Sequence, residues 1–160
     1  MRFTLIDRVI SLEPGRKIVA AKNLSLAEEY LADHFPGFPV MPGVLMLEAM
    51  TQAGAWLVRA TEDFAHSAVV LKEARNVKYT SFVEPGQTLV VTVEMLGEAG
   101  REVKLKAEGT VDGQTTVSAR MTLERYNLAD TDPRKRETDE VVKQQMRELF
   151  ALLYQPAATS

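Results

Sequence analysis

Residues Val44–Val58 read VLMLEAMTQAGAWLV, and among them only Glu48, Thr51 and Gln52 are polar. A helix on a protein surface shows a polar face, so one this apolar on nearly every side is expected to be wrapped by other structure. A bilayer span needs about 20 apolar residues, more than this stretch supplies, so the wrapping is expected to be protein. Glu48 then sits in a poorly solvated place, where an isolated carboxylate needs either a partner or a task.

The 160-residue chain is 46% hydrophobic and 26% charged, which suits one globular domain with a core of useful size. It contains no Cys, which excludes disulfides, Cys-ligated zinc and Cys nucleophiles and suits a cytoplasmic location. No signal peptide is expected, because MRFTLIDRVISLEPG has no apolar run before a cleavage site. A net charge of −3 argues against a nucleic-acid binder working through a broad basic surface. No membrane span and no metal or other cofactor are expected.

Immediately before the apolar helix lies HFPGFPVMPG, His34–Gly43, with three prolines and two glycines. The fixed φ values of proline make this a stiff, irregular loop that delivers the chain into the helix. Upstream, Leu26–Asp33 is expected to be a short helical turn, capped by Ser25, with Glu28 at the N3 position of a capping box. Phe3–Ile10 and Lys17–Asn23 are β-prone runs on either side of Glu13-Pro14-Gly15, and they predict a first hairpin.

Downstream, the helix is expected to end near Arg59–Thr61, with Trp56 filling its far end and His66 in a solvated loop. Ser67–Leu71 and Val77–Val83 read as two separate short strands, the second closed by Glu84-Pro85-Gly86. Thr88–Leu96 predicts a long β-branched strand, turned back by Gly97–Gly100. Val103, Leu105, Ala107 and Val111 alternate with polar residues, as do Val117, Ala119, Met121 and Leu123, the period-2 pattern of half-buried strands. Asp112-Gly113 between them fits a type I′ hairpin. Together these strands make an antiparallel meander with one face free to cover a helix. Ala129–Glu140 is rich in charge and contains Pro133, so it reads as a solvated linker. Val142, Met146, Leu149, Phe150 and Leu153 then recur at helical spacing, and Pro156 ends the run. They predict a C-terminal amphipathic helix packed on the chain's own sheet or on a sister subunit.

The run HFPGFPVMPGVLMLEAMTQ, His34–Gln52, resembles the signature of the hot-dog-fold β-hydroxyacyl-[acyl-carrier-protein] dehydratases of the FabZ and FabA types. More weakly, the likeness extends from FTLIDRV at Phe3 to about Leu123. It implies an α+β hot-dog fold, an antiparallel β-sheet wrapped around a central, mostly apolar α-helix, here with an added C-terminal helix. The dehydratase-like domain is then expected at residues 1–128, and the charged linker and amphipathic helix at 129–160.

Dehydration of a 3-hydroxyacyl thioester requires removal of the proton α to the carbonyl, stabilisation of the enolate-like oxygen and protonation of the departing hydroxyl. His34 suits the base, because imidazole titrates near neutral pH. Gly43 stands at the helix start, where N–H groups lack partners and the dipole favours negative charge, so its N–H suits the thioester oxygen. Glu48 lies about 7.5 Å further along the helix axis. A poorly solvated carboxyl favours its protonated form and can donate to the leaving hydroxyl. Gln52, one turn on, is placed to bond Glu48 or a water. Phe38 and Met41 are expected to pack and to shape a substrate tunnel.

In the dehydratases that this motif resembles, the His and the acidic residue meet across a dimer interface. The likeness therefore implies a homodimer or a trimer of dimers, with His34 of one subunit facing Glu48 of the other. Glu rather than Asp at this position implies plain dehydration without isomerisation. The implied substrate is a thioester of acyl carrier protein or of CoA. A hot-dog thioesterase and a non-catalytic acyl-binding hot-dog subunit are the alternatives, and the combination of His34, Gly43 and Glu48 speaks for the dehydratase. The chain begins almost directly at the first strand, so the C-terminal helix is expected to cover surface that an N-terminal helical segment covers in FabZ-type enzymes. Tyr79, Thr80 and Ser81 stand where those enzymes usually carry Lys or Arg, which leaves Lys72, Arg75 and Lys78 as the cations for an acidic carrier.

Overall fold

The computed structural model describes residues 3–33 and 37–156. Its strands are β1 (Arg8–Glu13), β2 (Lys17–Asn23), β3 (Ala68–Tyr79), β4 (Thr88–Ala99), β5 (Glu102–Val111) and β6 (Gln114–Tyr126). They form one six-stranded antiparallel sheet in the order β1-β2-β4-β5-β6-β3. The short helix α1 (Tyr30–Asp33) precedes the long helix α2 (Gly43–Thr61), and α3 (Arg136–Leu153) closes the fold. Helix α2 packs on β2 to β6, so the hot-dog arrangement implied by the sequence is present. No helix among the described residues is long and apolar enough to cross a membrane.

Alternation in the strands builds the core. Val91 and Val93 of β4, Val103, Leu105 and Ala107 of β5, and Val117, Met121 and Leu123 of β6 are all buried on the face toward α2. From α2, Met46, Met50, Ala53 and Leu57 recur at helical spacing and are equally buried. Full burial of a large apolar side chain is worth roughly 1.5–3 kcal/mol, so this contact dominates the fold. Gly54 marks the closest approach, since a Cβ there would lie 2.8 Å from Leu105 Cδ1. The turn between β5 and β6 has φ of +51° at Asp112 and +78° at Gly113, the double left-handed conformation of the expected type I′ hairpin.

The wrapping of α2 is complete only over its C-terminal two-thirds. At its start Val44 is 68% exposed, and Leu45, Leu47, Glu48 and Gln52 are half-buried. Two expected strands, Ser67–Leu71 and Val77–Val83, merge in part: β3 runs from Ala68 unbroken through Glu73 and Arg75 and ends at Tyr79, so residues 80–83 are not strand. Register shifts at Leu71/Glu73 and Arg75/Lys78, with Asn76 at φ +52°, break its two-residue period, which is why the alternation is lost from the sequence. The first strand starts at Arg8 rather than Phe3. The Ser25 turn keeps half of its capping box, since Glu28 accepts from Ser25 N while Ser25 Oγ accepts from Ala27 N, and helix begins only at Tyr30. His66 is not a free loop residue; its Nδ1 lies 2.9 Å from Glu62 Oε1.

The expected linker at Ala129–Glu140 is ordered structure. Single turns of 3-10 helix at Leu128–Asp130 and Pro133–Lys135 lead into α3, which starts at Arg136. Asp139 in its first turn is only 2% exposed and accepts hydrogen bonds from Ser67 Oγ at 2.5 Å and from the N–H groups of Leu128 and Ala129, each at 2.9 Å. Further along, Arg147 donates to Asp63 Oδ1 and O and lies over the Phe64 ring. Phe150 packs on Trp56 and Phe64 with ring centroids 5.4 and 5.9 Å away. The C-terminal helix is therefore docked on the chain itself: Phe150 packs on Trp56 of α2, and Asp139, a charge that in sequence marks solvent, ties its first turn to Ser67 and to the 128–129 turn.

Two outcomes test this packing. Gly54→Val drives methyl groups into Leu105 and is expected to destabilise the fold by about 2 kcal/mol in urea titration. Burial pushes the Asp139 carboxyl up, but its bonds from Ser67, Ala129 and Leu128 and the charge of Lys143 outweigh this and hold it below the ordinary Asp range. A depressed folded-state value means that the stabilisation is present above the unfolded value of 3.8 and is lost as pH falls through the lower folded value. Asp139→Ala strands one buried and two part-buried donors and is expected to cost roughly 2–3 kcal/mol near neutral pH, a difference that shrinks as pH falls below the ordinary Asp range.

Candidate active site

Pro42, at φ −57° and ψ 140°, precedes the first turn of α2 and offers no side-chain cap. The N–H groups of Leu45 and Met46 both reach Pro42 O, which leaves those of Gly43 and Val44 as the donors of the first turn without a partner inside the helix. The Tyr79 ring lies against this helix start: a Cβ on Gly43 would sit 3.0 Å from Tyr79 Cε1 and Cζ. A side chain at this position would press on the ring, which would have to give by a few tenths of an ångström. Burial pushes the Tyr79 hydroxyl up, which keeps it a neutral donor at physiological pH. Met41 is held by its N–H bond to Val83 O, and it lines a cavity of about 170 Å³ together with Gly43, Met46, Tyr79 and Phe82. Phe38 is half-exposed and stands edge-on to Phe82 at 5.5 Å.

Glu48 is half-buried and borders a second, larger cavity of about 320 Å³ on the outer face of α2. Its Oε1 accepts from Gln52 Nε2 at 3.1 Å, the bond expected from their spacing. Gln52 does more than that. Its Nε2 also donates to Phe3 O at 2.9 Å, and its Oε1 accepts from Leu5 N at 2.8 Å. One amide thus straps the N-terminal segment to α2 and orients the Glu48 carboxylate. With these partners the Gln52 amide is occupied by the chain itself, the Glu48 bond among them.

Among the expected site residues, the fold groups Gly43, Met41 and Phe38 at the helix start and Glu48 with Gln52 on the next turns. The two groups border different cavities of the single chain. His34 lies outside the described residues. Tyr79 and Phe82 were not singled out as site residues by their sequence context, because β3 and the loop after it reach α2 only in three dimensions. Of the three cations named for an acidic carrier, Lys72 pairs with Glu102 at 2.5 Å and Arg75 with Glu73 at 2.6 Å, both at the surface.

The description FabA-like domain fits residues 1–120 of this chain as a family model. The chain belongs to this family, and its relatives are of the FabZ type. It is 40% identical over 112 residues to the 3-hydroxyacyl-[acyl-carrier-protein] dehydratase FabZ of Ruminiclostridium cellulolyticum, covering 70% of this chain and 79% of that one. It is 41% identical over 133 residues to the protein of the same description from Symbiobacterium thermophilum, covering 74% and 94%. Among solved structures, the dehydratase heterocomplex ApeI:P from Xenorhabdus doucetiae shares the fold, with a TM-score of 0.66 at 19% identity over 79% of this chain and 85% of that one. In the FabZ-type chain, α3 lies wholly beyond the part that the family model matches.

The Gln52 strap is testable by itself. Gln52→Leu keeps the side-chain volume but leaves Leu5 N–H and Phe3 C=O unpaired. A loss of about 1–2 kcal/mol is expected, together with faster hydrogen exchange at the Leu5 amide.

Proposed function

We propose that this FabZ-type chain dehydrates 3-hydroxyacyl thioesters, carried on acyl carrier protein, to trans-2-enoyl thioesters in acyl-chain synthesis. The observation that carries the reading is a carboxylate, Glu48, held by Gln52 at the edge of an apolar cavity on the same helix whose uncapped start is Gly43. The relatives described as 3-hydroxyacyl-[acyl-carrier-protein] dehydratases support the same chemistry.

In this mechanism the thioester oxygen accepts from the Gly43 N–H, where the helix dipole favours the negative charge that develops. His34 removes the proton from C2. The electron pair of that C–H bond becomes the C2–C3 double bond as the C3–O bond breaks, and the Glu48 carboxyl gives its proton to the departing hydroxyl, which leaves as water. Tyr79, packed on Gly43, excludes solvent from the thioester side. No redox partner is needed.

His34 and Glu48 are proposed to come from different subunits of at least a dimer. Phe38, Val44, Tyr79 and Phe82 cluster around the helix start and are exposed in the single chain, and β3 has one unpaired edge. Both features suit a second copy. The reaction is placed in the cytoplasm, where carrier-bound acyl chains are handled.

Incubation with 3-hydroxyacyl thioesters of carrier protein and of CoA, following enoyl product and free thiol separately, tests the reading. Enoyl formation is expected, faster on carrier protein, and His34→Ala or Glu48→Gln is expected to lower kcat roughly 10²–10⁴-fold without loss of fold. Mixed, verified heterodimers of the two variants should regain activity. Free thiol without enoyl product would identify a thioesterase and overturn the proposal.

A further inference from the structure

We infer that α3 forms the outer wall of the acyl-chain site, and that Met146 and Leu149 set the chain length that the site accepts. The inference rests on the dehydratase reading for the identity of the ligand's polar end.

Glu48, Gln52, Ala55 and Arg59 follow one another at helical spacing along the outer face of α2 and form the floor of the 320 Å³ cavity. Met146 and Leu149 face this floor from α3. The groove has Glu48 and Gln52 at one end and an apolar middle of Ala55, Trp56, Met146 and Leu149 before Arg59. That gradient matches a 3-hydroxyacyl group, whose oxygens lie at the first and third carbons and whose remainder is hydrocarbon.

The groove also has an end. Arg59 lies eleven residues after Glu48, about 16 Å along the helix axis. Its guanidinium is stacked over Trp56 at 5.4 Å. A tail long enough to reach it would bring hydrocarbon against a charged group, which is unfavourable. Met146 and Leu149 are only half-buried, so each has surface to offer a tail. Their helix is held elsewhere, by Asp139, Arg147 and Phe150, so substitution at the two positions reshapes the wall without releasing α3.

The test uses the full chain and amide analogues of 3-hydroxyacyl-pantetheine of graded length, in which nitrogen replaces the thioester sulfur. Affinity is measured by calorimetry, and turnover of the matching thioesters is followed in parallel. In the parent, affinity is expected to rise about fourfold per methylene until the groove is full, then to level off. Leu149→Trp, which fills the groove, should bring the plateau to shorter chains while leaving the shortest ligand unaffected. Met146→Ala with Leu149→Ala should weaken the dependence on length, and it serves alone if the tryptophan variant does not fold.

The same length profile in the parent and in a folded α3 variant would sink the inference, as would no binding by the folded parent at any length. Length-graded binding that α3 variants shift, without enoyl product from any of them, would remove the dehydratase reading and keep the wall. Enoyl product with an unmoved length profile would do the reverse.

Discussion

Burial of one face of α2 against the sheet is the constraint from which the other features follow. Met46, Met50, Ala53 and Leu57 share one buried core with Leu105, Met121 and Leu123, and the missing side chain at Gly54 lets the helix come close. Close packing of this kind fixes the helix in rotation as well as in height, because a rotated helix would bring Glu48 or Gln52 into the core. The opposite face is thereby presented outward in a set orientation. Catalytic groups placed on a rigid element gain their precision this way.

The start of the same helix is marked by something it lacks. A Ser, Thr, Asp or Asn cap would satisfy the first-turn donors and lend the helix about 1 kcal/mol. Pro42 has no side chain able to do so, and the Gly43 and Val44 N–H groups have no partner inside the helix. Tertiary burial of α2 makes the local loss tolerable. Gln52 shows the complementary logic, since its amide joins the N-terminal segment, α2 and Glu48 in one set of bonds. Disturbing it affects fold and site together.

The C-terminal segment shows how a charged sequence becomes structural. Asp139 carries a charge that composition assigns to solvent, yet three donors converge on it from Ser67, Leu128 and Ala129. A carboxylate that accepts several hydrogen bonds can stay ionised in a buried place, where a lone one could not. It anchors the beginning of α3, and Arg147 and Phe150 anchor the rest against the end of α2. Met146 and Leu149 are thus carried over the groove that starts at Glu48.

The sequence by itself determined the central helix, the β4-β5-β6 meander, the Asp112-Gly113 turn and the Glu48–Gln52 pairing. Each depends on contacts between near neighbours or on a period of 3.6 or 2 written directly into the chain. The tertiary structure alone decided what depends on residues distant in sequence: the unbroken β3 with its bulges, the seat of Tyr79 on Gly43, the strap from Gln52 to Phe3 and Leu5, and the buried Asp139. A bulge erases the periodicity that would reveal a strand. A charge shows its burial only when its donors have arrived from elsewhere in the fold. The apolar stripe of α3 was legible as a stripe, but the groove that it covers exists only once α2 and α3 are packed together.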